Sequence, residues 1–333
     1  MIPIGIIGIS GYTGLELIKL IINHPFFEIK YLANTTGNTT LHKLHKSLVL
    51  ATKDIKVENI NLDSIKQCKL IFLALPHEES MKITPKILDF GIKVIDLSAD
   101  YRLNEENFNT TYTKHQDTKN LKIAQYGLIE WNRKNIKNAN LVANPGCYPT
   151  ASLLGILPFV EFIDGSIFID AKSGVSGAGK KLSDNTHYPH INDNIFSYQP
   201  LIHRHQIEIS QKCSDFTNKN IKINFIPHLS PFTRGMLVSI FATLKCEINP
   251  LEILKNAYKN EKFIRIRESP VDVKSVCGTH FCDIFAKING NDLYINTSID
   301  NLLRGASSQA LACANLALGL DENMALPKVA YVP

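Results

Sequence analysis

Along the first 145 residues, short apolar runs alternate with stretches whose apolar positions recur at helical spacing. Ile4–Ile9 is the first run; Leu15, Ile18, Ile21 and Ile22 then share one helix face, closed by His24-Pro25. Glu28–Ala33, Leu70–Leu75 and Val94–Leu97 read as further strands of the kind that parallel sheets bury on both faces. Between the last two, Glu78–Phe90 predicts a helix, with Pro85 weakening its middle. Alternation of this kind predicts a doubly wound α/β sheet.

The second half has another texture. Ser166–Ala171, Ile221–Ile226, Met236–Cys246, His280–Ile288 and Leu293–Ser298 are β-branched or alternating, with mainly turns between them. They predict a mixed or antiparallel sheet with few helices, hence an α+β unit. Ser307–Leu320 closes the chain as a helix, whose Ala310, Leu311, Ala314 and Leu318 form a close-packing face.

A chain of 333 residues suggests two domains, since single cores stop growing near ~250–300 residues. Hydrophobic residues at 44% and charged residues at 20% are ordinary for a globular enzyme. The formal charge of +5 is scattered rather than blocked, so no nucleic acid partner is expected. Seven cysteines, an odd number without a CxxC pair, suggest free thiols rather than a disulfide framework or a metal site. The N-terminus lacks a signal-peptide pattern, and no apolar run reaches the ~18–20 residues of a membrane span. A cytoplasmic protein with no membrane partner is the expectation.

Gly8, Gly11 and Gly14 follow the first strand and open the first helix. Such a loop turns tightly, lets phosphate approach the backbone, and presents helix amides to a pyrophosphate. Its spacing is GxxGxxG rather than GxGxxG, and a packing turn is the plain alternative. Gly8, Ser10, Gly11, Tyr12, Thr13 and Gly14 are candidate cofactor contacts. After the second strand come Asn34 and Thr35, where an NAD-selective fold usually carries an acidic residue. This neutral tip leaves room for the 2′-phosphate of NADP, although no arginine marks it.

Asn144-Pro145-Gly146-Cys147-Tyr148-Pro149-Thr150 lies between the strand-like Leu141–Ala143 and the apolar helix predicted over Ala151–Val160. Cys147 then stands at a helix N-terminus, which favours the thiolate nucleophile, with amides at hand for an oxyanion. The other six cysteines read as small buried hydrophobes.

Eight motifs in order make the resemblance specific: GISGYTG, ALPH (Ala74–His77), DLSADYR (Asp96–Arg102), NPGCYPT, AKSGVSGAGK (Ala171–Lys180), HRHQIE (His203–Glu208), SPFTRG (Ser230–Gly235) and DNLLRGA (Asp300–Ala306). Nearly end to end, the chain resembles the N-acetyl-γ-glutamyl-phosphate reductases of arginine biosynthesis, relatives of aspartate-semialdehyde dehydrogenase. The resemblance implies NADPH as hydride donor and Cys147 as thioester nucleophile. It also implies a Rossmann domain (residues 1–146 and 302–333) around a glyceraldehyde-3-phosphate-dehydrogenase-like α+β domain (147–301) that mediates homo-oligomerisation, as dimer or tetramer.

His203 and His205 supply imidazoles suited to proton transfer near neutral pH, and no further ligands suggest a metal. The resemblance favours His203 as the acid–base, with His205 and Glu208 orienting or binding substrate; His228 is a lesser alternative. A doubly anionic small-molecule substrate calls for cations and donors. Arg102, Asn144, Lys172, Arg204 and Arg234 are candidates, each within a motif. Ser176 and Gly177 belong to a glycine–serine loop able to form an anion nest near the cofactor. The resemblance assigns Asn301 to the nicotinamide amide.

The chemistry expected is reduction of an acyl phosphate to an aldehyde through a Cys147 thioester. A carrier-bound aminoadipyl phosphate of lysine synthesis is the alternative substrate, and a non-catalytic NADP-binding sensor is the alternative of another class.

Overall fold

The computed structural model describes residues 1–331, and in it the apolar runs of the first half become parallel strands. They are β1 (Ile2–Ile7), β2 (Phe27–Ala33), β3 (Leu70–Leu73), β4 (Lys93–Asp96), β5 (Gln125–Tyr126) and β6 (Leu141–Ala143). Their order is β2-β1-β3-β4-β6-β5, parallel throughout. Ile4, Ile6, Ile7, Leu70, Phe72 and Ile95 have no exposed surface, which is why these strands are unbroken apolar runs.

Helix α1 (Tyr12–Ile21) follows β1, and α2 (Ser80–Asp89) follows β3 with Pro85 inside it. The Asp100 carboxylate accepts the Glu78 and Met81 amides at 2.7 and 2.9 Å, tying down the α2 N-terminus. That explains one polar position of DLSADYR as architecture. Burial, then the neighbouring Asp100, raises the pKa of the Asp96 carboxyl. The C-terminal helix Ser308–Ala317 completes this unit. Ser307 Oγ donates to Thr13 O at 3.1 Å, and Asn315 bonds to His24 at 3.0 Å.

The second unit contains α3 (Cys147–Ile156), β7 (Ile163–Gly174), β8 (Phe196–Ser197), α4 (Arg204–Thr217), β9 (Ile223–Ser230), β10 (Met236–Leu244), α5 (Pro250–Ala257), β11 (Ile264–Ile266), β12 (Cys282–Asn289) and β13 (Asp292–Ile299). Its mixed sheet runs β8-β9-β7-β10-β13-β12-β11. Ile169, Val238, Ile240 and Ile295 share the face that α3 covers, and Thr297 Oγ1 donates to Ala151 O at 3.0 Å. Each such buried side chain is worth about 1.5–3 kcal/mol.

One expectation changes. The turns expected here include the 14-residue α4, whose buried His205, Glu208, Ile209, Lys212 and Cys213 follow helical spacing although only two are apolar. The units are Met1–Pro145 with Ala306–Leu326, and Gly146–Gly305 with the chain from Pro327 onward. Residues 302–305 thus pack with the second unit, where Gly305 lies against Cys147. The chain from Pro327 joins it too, where the His280 amide donates to Pro327 O at 2.9 Å. Among the described residues, no helix is long and apolar enough to cross a membrane.

Candidate active site

In the first unit, the three glycines of the β1–α1 loop answer to three different constraints. Gly8 has φ +95°, and a Cβ there would strike the Ala74 carbonyl. A Cβ on Gly14 would lie 2.6 Å from Gly8 O and from Ile9 Cα, so α1 could not pack this closely. Gly11 meets nothing nearer than 3.8 Å. Gly8 and Gly14 are therefore set by packing, whereas Gly11 leaves backbone open beside the start of a ten-residue helix. That combination fits a pyrophosphate cradle.

The β2 tip is bonded to the glycine loop. Asn34 is buried; its Nδ2 donates to Ser10 Oγ at 2.8 Å, while its Oδ1 accepts the Thr36 and Gly37 amides at 3.1 and 2.6 Å. Asn34 and Ser10 thus lock the two loops together, and Thr35 is the exposed residue of the tip.

Arg102 spends part of its fork on carbonyls of its own unit. Buried in the same unit, it donates from Nε to Asn144 O at 2.7 Å and from Nη2 to Leu97 O at 2.8 Å. It holds the end of β4 to the turn that precedes Gly146. Asn144 is also buried, donating to Ala306 O at 3.2 Å, with its Oδ1 lacking a protein hydrogen-bond partner among the described residues.

In the second unit, Gly146 is the N-cap of α3 and Cys147 its first residue, one turn earlier than the predicted Ala151 start. The Gly146 amide donates to Oε1 of Glu208 at 3.0 Å, and Glu208 is only 2% exposed. Glu208, expected as an orienting or substrate group, thus anchors the turn that carries the thiol. Cys147 is half-buried; Cys68, Cys213, Cys277, Cys282 and Cys313 are buried as expected, whereas Cys246, read as a buried hydrophobe, is exposed. Burial pushes the Cys68 and Cys277 thiols up to about 11 and that of Cys213 to about 12. They are inert as nucleophiles near neutral pH.

His203 is the N-cap of α4, its Nδ1 accepting the His205 amide at 3.1 Å. The ring proton therefore sits on Nε2. Burial, then the Arg204 charge, lowers its pKa to about 4, so near neutral pH it is an imidazole, not an imidazolium. The His205 ring lies 4.8 Å from it, and both contact Tyr148 edge-on. Sequence reasoning missed Tyr198, whose hydroxyl donates to that of Tyr148 at 3.3 Å. It directly follows the two-residue strand β8, in a stretch with no recognisable motif.

Arg234 is paired with Asp300, which has no exposed surface, through Nε at 3.0 Å and Nη2 at 3.1 Å, and lies under the Tyr331 ring. Asn301 accepts the Gly235 amide at 2.7 Å and donates to Ser176 Oγ at 3.0 Å. Its amide joins three motifs, and the Gly177 backbone packs against Ser173. Lys172 is not brought to Cys147. Strand alternation puts Ile169 and Ala171 on the α3 side of β7 and Lys172 on the other, paired with Asp170 at 2.5 Å. Arg204 is the one exposed cation in HRHQIE.

Comparison with known proteins bears on both units. Residues 3–139 match the family model described as semialdehyde dehydrogenase, NAD binding domain, and residues 147–301 match semialdehyde dehydrogenase, dimerisation domain. The chain is similar to the N-acetyl-gamma-glutamyl-phosphate reductase of Wolinella succinogenes, at 56% identity over 100% of this chain and 99% of that one. The same-named protein of Archaeoglobus fulgidus is 40% identical, covering 97% of both chains. Among solved structures, aspartate semialdehyde dehydrogenase II complexed with ASA from Vibrio cholerae shares the fold, with TM-score 0.75, 17% identity and coverage of 96% and 98%. Aspartate semialdehyde dehydrogenase with NADP from Candida albicans does so with TM-score 0.72, 14% identity and coverage of 97% and 99%. With full-length identity this high and both family models matched in order, the chain belongs to the N-acetyl-gamma-glutamyl-phosphate reductase family of semialdehyde dehydrogenases.

Proposed function

We propose that this enzyme reduces N-acetyl-γ-glutamyl phosphate to N-acetylglutamate 5-semialdehyde, releasing phosphate, through a thioester on Cys147. The observation that carries the chemistry is a half-buried thiol at the first position of a helix whose N-cap amide is anchored by a buried carboxylate. The Cys147 thiolate attacks the acyl carbonyl; the C–S bond forms, the C–O bond to phosphate breaks, and phosphate leaves. Helix-terminal amides of α3 hold the oxyanion of each tetrahedral stage. When bound at the glycine loop, NADPH supplies the hydride that reduces the thioester. The resulting alkoxide collapses by expelling the Cys147 thiolate and releasing the aldehyde. His203 offers a neutral Nε2–H donor to reacting oxygens, and His205 is the companion through which the proton taken up by phosphate moves. Arg204 is the cation best placed by exposure to meet an anionic substrate group.

The carrier-bound aminoadipyl alternative is not favoured, because relatives at 49–56% identity carry the acetylglutamyl name. A thiol nucleophile and six further unbridged cysteines suit a reducing compartment such as the cytoplasm. Run in reverse, oxidation of N-acetylglutamate 5-semialdehyde should require phosphate or arsenate. The assay is dinucleotide reduction with and without added phosphate; phosphate-independent formation of the free acid would overturn the acyl-phosphate reading.

The sheet of the second unit leaves an apolar face open: Phe168 and Phe241 are cross-strand neighbours 55% and 49% exposed, and the Tyr294 ring lies 5.2 Å from that of Phe241. These rings belong to the matched dimerisation domain, and we infer that a second copy covers them. Phe241→Lys should lower the mass measured by sedimentation, and an unchanged mass would assign the contact to another surface.

A further inference from the structure

The segment Pro327–Tyr331 has no place in the reaction scheme, yet it touches both supports of the turn behind Cys147. It packs with the second unit, although Ala306–Leu326 just before it belongs to the first. At one end, Pro327 O accepts the His280 amide at 2.9 Å. The buried His280 ring in turn meets Arg304 Nη1 at 2.5 Å, one residue before Gly305. At the other end, the Tyr331 ring fills the space beside Gly278, where a Cβ would strike its Cδ1 and Cε1. Gly278 has φ +85°, so glycine suits the backbone there as well as the contact. The same ring lies 5.6 Å from the Arg234 guanidinium carbon, within the range of a cation–π contact.

Both ends lead to one carboxylate and one turn. Asp300 has no exposed surface; its Oδ2 accepts the Gly278 amide at 2.7 Å and faces Arg234 Nε at 3.0 Å. Its Oδ1 accepts Arg234 Nη2 at 3.1 Å together with the Leu302 and Leu303 amides. Asp300 O accepts the Gly305 amide, and Gly305 backs Cys147 so closely that a Cβ would lie 2.6 Å from the cysteine Cβ. We infer that Tyr331 is a positioning residue: its ring holds Arg234 and Gly278 on Asp300, and the Asp300–Gly305 turn so fixed keeps the Cys147 thiol in its reactive orientation. The inference rests on the thioester reading of Cys147 and deepens it. In a close-packed interior, a support that acts through two contacts still sets where the thiol points. Both Tyr331 contacts are made by ring carbons, so phenylalanine should serve in its place.

The test is kinetic and uses the full chain. Tyr331→Ala should lower kcat about fivefold with KM and dinucleotide affinity within about twofold of the parent. Alkylation of Cys147 by iodoacetamide should slow by a similar factor, whereas Tyr331→Phe should keep the parental value of each quantity. In a Gly305→Ala background, Tyr331→Ala should lower kcat no further, because a loosened turn yields to the added methyl. Parental kcat and alkylation in Tyr331→Ala would overturn the inference, even if the melting temperature falls. So would an equal loss in Tyr331→Phe, or a loss that simply adds to that of Gly305→Ala; each leaves the thioester mechanism standing. If the unaltered enzyme keeps its turnover once Cys147 is alkylated, the thioester reading fails, and this inference with it.

Discussion

Cys147→Ser is expected to lose reductase turnover by at least about a thousandfold while remaining folded and still binding dinucleotide. The hydroxyl is nearly isosteric with the thiol, and position 147 is half-buried at the first turn of α3, so packing changes little. What changes is ionisation. A serine hydroxyl stays protonated near neutral pH, and the helix-terminal amides cannot make it a nucleophile unaided. The Gly146–Glu208 bond survives, so the oxyanion donors stay in place around an inert oxygen. The measurement is NADPH oxidation at saturating acyl phosphate, alongside dinucleotide fluorescence and a thermal melt. Turnover within tenfold of the parent would sink the thioester mechanism.

The second large effect is expected at Gly305, which packs against Cys147. A Cβ on Gly305 would fall 2.6 Å from Cys147 Cβ and 3.1 Å from its Cα, against about 3.5–4.0 Å for ordinary carbon contact. One side must move by roughly 1 Å, and the turn carrying Gly305 is the stiffer. Asp300 accepts the Leu302 and Leu303 amides at 2.9 and 3.0 Å and the Gly278 amide at 2.7 Å. Arg304, 1% exposed, donates to His280 at 2.5 Å, and the Gly305 amide closes a π-helical bond to Asp300 O at 2.9 Å. The strain therefore falls on Cys147. Gly305→Ala should lower kcat about a hundredfold, as a displacement of about 1 Å commonly does. It should also cost about 1–3 kcal/mol of stability through overpacking. Steady-state kinetics and the rate of Cys147 alkylation by iodoacetamide read the displacement directly; parental values for both would show that the turn yields instead.

These two residues differ in how far they could be read beforehand. The role proposed for Cys147 is suggested by its own neighbours: an apolar run, then Pro-Gly, then a helical stretch. Gly305 and Asp300 lie within a recognised motif, yet nothing local says that one glycine supports the nucleophile 158 positions away. The helix α4 shows the same limit. Its spacing of 205, 208, 209, 212 and 213 was available, but three of those side chains are His, Glu and Lys, which a search for apolar periodicity passes over. They are buried because Glu208 serves an amide of another element and Lys212 pairs with Asp215 at 2.7 Å.

The candidate cations divide by the same reasoning. Arg102 and Arg234 have a residue type that suits an anion, and each is used internally: the first on two carbonyls, the second on a buried carboxylate. Lys172 is turned away by strand alternation once Ile169 and Ala171 face α3. Asn34 and Asn301, read as ligand donors, also bond one loop to another.

By itself, then, the sequence of this protein determined what depends on near neighbours: the α/β and mixed-sheet textures, the glycine turn, and a cysteine opening a helix. Motif order added the family. Only the tertiary structure decided which polar groups in those motifs bond to one another across the chain. Hydrogen bonding to a buried partner is a property of two residues, and here the partners of Gly146 and Asn144 lie 62 and 162 positions along the chain. The thiol is named by its own segment; the carboxylate and the turn that hold it in position come from elsewhere.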